Sequence, residues 1–152
     1  MSRNETPDAG DDAQDRARGR REVLHVALME LEDALSAPTG RGERWRSRVQ
    51  DAIEGMHTTL RAHVQDTEGP DGLLAQIIEE EPVFGPRVEA MKAEHRELLD
   101  QSALLVDQSR AGGAPDELRG AALALLERVS RHRHRGADLL YDVYELDLSA
   151  GD

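Results

Sequence analysis

VEAMKAEHRELLDQSALLVD, residues 88–107, is the stretch that decides the fold. Val88, Met91, His95, Leu98, Leu99, Leu105 and Val106 recur at the three- and four-residue intervals of a helix that buries one face. Pro86 stands at its start, where a missing N–H costs a helix nothing. Gly112-Gly113-Ala114-Pro115 follows as a loop. One member of the apolar stripe is not apolar. Stepping 100° per residue, His95 lies within roughly 20° of the stripe centre, flanked one turn away by Met91 and by Leu98 and Leu99.

The same periodicity extends in both directions. Upstream, Leu24, Ala27, Leu28, Leu31, Ala34 and Leu35 predict a first amphipathic helix from about Arg20, closed by Pro38 and Gly40. Trp45, Val49, Ala52, Ile53, Met56, Leu60 and Val64 predict a second, running to about Thr67. Gly69-Pro70-Asp71-Gly72 breaks it, and Leu73, Leu74, Ile77 and Ile78 form one or two further helical turns before Pro82. Downstream, Asp116 is a candidate N-cap for a last helix through Leu118, Ala122, Leu125, Val129, Leu139 and Val143 to about Leu146. Four amphipathic helices with short connections predict an all-α, up-down-up-down four-helix bundle over residues 19–148. Residues 1–18, with Pro, Gly, five acidic residues and no apolar period, read as a disordered acidic tail, and 149–152 as a polar one.

Composition narrows function by exclusion. A net charge of −12 argues against nucleic acid and anionic membranes as partners. The absence of cysteine removes disulfides, thiolate–zinc sites, cysteine-ligated clusters and a cysteine nucleophile. No apolar run nears the roughly 20 residues that span a bilayer, and the N-terminus lacks an apolar signal core, so a cytoplasmic location is expected. No phosphate loop, dinucleotide fingerprint or serine-centred triad is present. Aromatics are 3% of the chain, so the core rests on Leu, Ala, Val and Ile. Met29, Met56 and Met91 read as core filler. Tyr141 and Tyr144 are expected to pack at the bundle end.

Histidine placement points to chemistry. On the second helix His63 lies roughly 40° from its stripe centre, and on the last helix His132 lies roughly 40° from its own. With His95 they put three inward imidazoles on three helices. His57 sits about 80° from the stripe, His25 about 110° and His134 about 160°, which faces solvent. A buried neutral imidazole needs partners for both nitrogens, and these helices offer few inward carboxylates or amides. A shared cation satisfies several rings at once, and imidazole selects iron, zinc or a similar metal over magnesium or calcium. The other reading is a metal-free polar cluster whose histidines bond to each other or to water.

Leu24-His25, then His63-Val-Gln-Asp-Thr-Glu68, Glu94-His95-Arg-Glu-Leu-Leu and Arg131-His132 together resemble the hemerythrin-like, HHE cation-binding domain, from about Arg20 to Asp152. The resemblance implies a bundle around a non-haem iron site, with members that bind or sense oxygen, sense iron, handle nitric oxide or peroxide, or have no assigned role. It adds His25 and Glu68 to His63, His95 and His132 as candidate metal ligands. The pattern also departs from the family. Position +4 from His63 is Thr67 instead of glutamate, Leu99 stands four after His95, and Gly136 and Ala137 stand four and five after His132. Asp138 follows His134 at the family spacing, and a bulge at Gly136 would be needed to turn that pair inward. Since bridging carboxylates hold two irons together, a mononuclear site suits these residues better than a di-iron one. The expected function is metal-linked binding or sensing of oxygen or a related small molecule, with an enzymatic role left open. The alternative is a helical interaction or regulatory module that kept the fold and lost the site.

Overall fold

The computed structural model describes residues 9–38 and 42–150, and all regular structure among them is helical. Helix α1 spans Ala9–Ser36, α2 Glu43–Glu68, α3 Leu73–Glu80, α4 Gly85–Arg110 and α5 Pro115–Ala150, with a 3-10 turn at Pro82–Phe84 before α4. The four long helices pack together: α1 against α2 and α5, α2 against α4, and α4 against α5. The short α3 lies between α2 and α4 and touches both. Each element begins where the sequence allows it. Pro86 sits in the first turn of α4. Pro115 itself opens α5, so Asp116 falls in the first turn instead of capping it, where its charge still favours the helix N-terminus.

Both outer helices exceed the apolar pattern. Residues 9–18, expected in the tail, are the first turns of α1, while 1–8 lie outside the described residues. Helix formation there needs no buried stripe: the segment has no proline after Pro7 and is rich in Ala and Arg, good helix formers. Side chains near its end also tie the helix down. Arg16 donates to the Asp71 carbonyl at 3.4 Å, and Arg20 pairs with Asp66. At the other end of the chain α5 continues past Leu146 to Ala150, so the last turns overshoot the core. Tyr141 and Tyr144 are consequently exposed and not packed at the bundle end. Met56 and Met91 are buried as expected, but Met29 faces solvent.

The core is divided in a way that places the histidines. A large apolar cluster built from α1, α2, α4 and α5 ends with Leu24, Leu60, Leu98 and Val129. A smaller one, Leu74, Ile77, Val88, Met91 and Leu139, gathers around α3. His63, His95 and His132 are each three residues from Leu60, Leu98 and Val129, and they form a polar layer between the two clusters. The turn that folds α3 over this layer is tight. A Cβ on Gly72 would lie 2.5 Å from the Asp66 carbonyl oxygen and 2.6 Å from that of Thr67, so only glycine fits.

Candidate metal centre

Helical phase delivers the three rings. His63 is 8% exposed, His95 1% and His132 2%. One ligand nitrogen from each lies within 4.8 Å of the other two, the one such group among the described residues. The rings stand edge to face, with centroids 4.7–5.6 Å apart. His132 Nε2 lies 3.1 Å from His95 Nε2 and 3.5 Å from His63 Nε2.

The opposite ring edges meet carboxylates. His95 Nδ1 lies 2.7 Å from Glu68 Oε2, and His132 Nδ1 lies 2.6 Å from Glu94 Oε1. Glu94 is also paired with Arg135. A neutral imidazole carries a single N–H. If each ring donates that proton from Nδ1 to its carboxylate, both Nε2 atoms present bare lone pairs to one another. A proton between them would require an imidazolium. Burial first, then the neighbouring rings and Arg21, push His63 down to about 3. Burial and His132 push His95 to about 3 against the pull of Glu94. Burial also lowers His132, although its hydrogen bond to Glu94 opposes this. At neutral pH the three rings are therefore neutral, and those of His95 and His132, with Nδ1 donating to a carboxylate, turn an Nε2 lone pair inward.

Two of the three nitrogen pairs have the spacing that a shared cation would impose. Ligand bonds of about 2.0–2.1 Å separate two imidazole nitrogens by roughly 2.9 Å at a right angle and roughly 3.4 Å at the tetrahedral angle. The observed 3.1 and 3.5 Å fall on that scale. Carboxylates on the far ring nitrogens are the usual means of fixing tautomer and orientation in histidine metal sites. His63 alone lacks such a partner: its Nδ1 is buried and unbonded.

Comparison with family models, with curated proteins and with solved structures finds no match. The residues themselves therefore carry the reading.

Of the five candidate ligands, the structure brings together His63, His95 and His132. His25 is exposed on α1 and stays outside the cluster. The buried position beside it belongs to Leu24, which lines the site, and one residue further along a helix points about 100° away. Glu68 reaches the site, but at the outer nitrogen of His95. Helix α5 runs unbroken through Gly136, so His134 and Asp138 remain exposed. His57 is half-buried and bonds the Ser102 hydroxyl at 2.7 Å, on its own.

The expectation that few inward carboxylates are available is corrected by Glu94. It lies three residues after Met91 and four before Leu98, both buried, so the helical repeat already placed it at the edge of the inward face. Its acidity disguised it as a surface residue. Glu94→Gln should weaken metal binding about 10–100-fold, the usual loss when an outer partner of a ligand is removed. Competition against a chromophoric chelator measures this, and an unchanged affinity would show that Glu94 does not hold the His132 ring.

An apolar cavity of about 50 Å³ adjoins the three rings. Leu73, Leu74 and Ile77 of α3 form one wall, Thr67 and Gly136 others. Thr67 turns its hydroxyl back to the His63 carbonyl, 2.9 Å away. Thus the two positions four residues after His63 and His132 carry no carboxylate and border open space instead.

Proposed function

We propose that this protein binds a single transition-metal ion, iron in the first instance, through Nε2 of His63, His95 and His132. The observation that carries the reading is the pairing of roles on two rings: Nδ1 engaged by Glu68 or Glu94, Nε2 turned toward the other histidines. Glu68 and Glu94 orient rings and balance charge. Three protein ligands leave coordination positions open, and the cavity beside the rings gives a small molecule access to them. The ion would supply Lewis acidity and, if iron, redox chemistry. The residues supply a dry, rigid pocket and neutral donors.

The function that follows is reversible binding or sensing of dioxygen or a related small molecule, as the likeness to hemerythrin-like proteins implies. An up-down-up-down order of the long helices is part of this reading and is supported by the pairwise packing of neighbours in sequence. A di-iron centre is less well supported, because Thr67 and Gly136 stand where bridging carboxylates would be needed.

The test is metal analysis of the full chain, purified without a histidine tag, with optical spectra in air and under reduction. One metal per chain after iron supplementation is expected. No stoichiometric uptake of iron, zinc or cobalt would establish instead a metal-free helical module.

A further inference from the structure

Helix α5 carries a second stripe, on the outside of the bundle. Ser130, His134, Ala137, Tyr141, Tyr144 and Leu148 follow one another at alternating steps of four and three residues, the spacing of a coiled-coil seam. Tyr141 is 63% exposed, Tyr144 62% and Leu148 53%. These large side chains therefore share one line along the helix and are left uncovered by the bundle. The flank of α5 that packs on α4 lies elsewhere. Arg128, Arg135 and Asp142 pair there with Glu97, Glu94 and Arg87, roughly 140° around the helix from the seam. On α1, Val23, Val26 and Met29 are exposed as well. Successive steps of three turn them through roughly 120°, so they make no straight seam.

Charge along the same segment identifies the occupant. Arg131, Arg133 and Arg135 accompany the beginning of the seam, and Asp138, Asp142, Glu145 and Asp147 accompany its end. Two parallel copies would set basic against basic and acidic against acidic. Two antiparallel copies bring opposite charges together, and one face then supplies both halves of the contact, as an isologous two-fold interface requires. We propose that the outer face of α5 is the contact surface of a homodimer, in which residues 130–148 pair with those of a second copy in antiparallel register about an axis near Leu139. In that register Tyr141 packs beside Ala137 of the second copy, Tyr144 beside His134 and Leu148 beside Ser130. Arg131 comes opposite Glu145 of the second copy, and symmetry repeats the pair. The existing bond of Arg131 to Glu127 is an exposed one within the helix, worth little, and does not hold it back. Asp138 meets its own copy close to the axis, which limits the affinity. Tyrosine rings are suited to anchor such a face, being rigid, apolar in body and polar at the tip.

No proposed metal ligand lies in the seam, so the dimer is tested on the full chain as purified. Sedimentation velocity over a wide concentration range should show a reversible monomer–dimer equilibrium. Tyr141→Ser with Tyr144→Ser should weaken the dimer at least about tenfold, the scale of a lost tyrosine anchor, and leave the fold intact because both rings are exposed. Arg131→Glu and Glu145→Arg should each weaken it about threefold, and the two changes combined in one chain should restore it. Asp138→Asn should tighten it, a gain that a disturbed fold does not produce. Cross-linking reads the register, because the chain has no cysteine of its own. Ser130→Cys with Leu148→Cys should give a disulfide-linked dimer on oxidation. Each change alone should not, since like positions of the two copies lie roughly 27 Å apart. A chain that stays monomeric at every concentration, a dimer indifferent to the tyrosine pair, or cross-linking by a single cysteine overturns the antiparallel α5 contact.

Discussion

Replacing His95 by alanine should abolish the proposed stoichiometric metal uptake, and replacing His134 should leave it intact. His95 is held at both nitrogens: its Nε2 meets that of His132 at 3.1 Å, and its Nδ1 bonds Glu68 at 2.7 Å. The variant therefore loses a ligand nitrogen and strands a carboxylate. The loss should exceed the roughly 10–100-fold penalty of removing an outer partner. His134 is exposed and two residues from His132, so its replacement controls for general effects of removing an imidazole nearby. Equilibrium dialysis of both variants against iron or zinc decides the matter. Full binding by His95→Ala, or loss of binding in His134→Ala, would show that the helical phase of α4 or α5 has been misread.

Acid should destabilise the metal-free protein steeply, beginning near neutrality. His63 and His95 titrate at about 3 in the folded chain, against 6.5 unfolded. Between those values the unfolded state binds more protons, so stability is fully present above about pH 6.5 and falls as the pH drops toward 3. Each such histidine contributes about 1.4 kcal/mol per pH unit across that window. From pH 6.5 to 5 the pair removes on the order of 4 kcal/mol, a large share of the 5–15 kcal/mol typical of a domain. His132, also lowered, adds to the loss. Glu68 works in the opposite direction, since burial raises its carboxyl and the folded state takes up a proton there in acid. One group against three offsets only part of the trend. Urea midpoints at pH 7 and pH 5 measure the difference, and coincident midpoints would mean that the rings are not buried in neutral form.

Much of this site was legible before any coordinates, because a 3.6-residue repeat fixes which way a side chain points. His63, His95 and His132 lay near their stripe centres, and they are buried. His134 lay opposite, and it is exposed. His25 shows where likeness and periodicity parted: family resemblance drew it inward, while its angle of about 110° put it outside. The structure follows the angle. What the repeat did not reveal is chemistry at the edge of a stripe. Glu94 passed for a solvent-facing acid because the sequence does not show that Arg135 and His132, some forty residues away, would converge on it. The early start of α1 escaped because residues 9–18 are helical without an apolar period.

The eight residues of α3 carry a kinetic consequence. A helix this short does not persist on its own in water. It stays in place through Leu74 and Ile77 packed against Val88, Met91 and Leu139, and through the tight turn at Gly72. The same helix closes one side of the histidine pocket. Local opening of α3 thus costs far less than unfolding the four long helices. Amides of residues 77–80 should exchange with solvent much faster than those of 98–106, and the residence time of a bound guest should track the former. Entry and escape would then be timed by a trapdoor, while the chamber walls stay rigid.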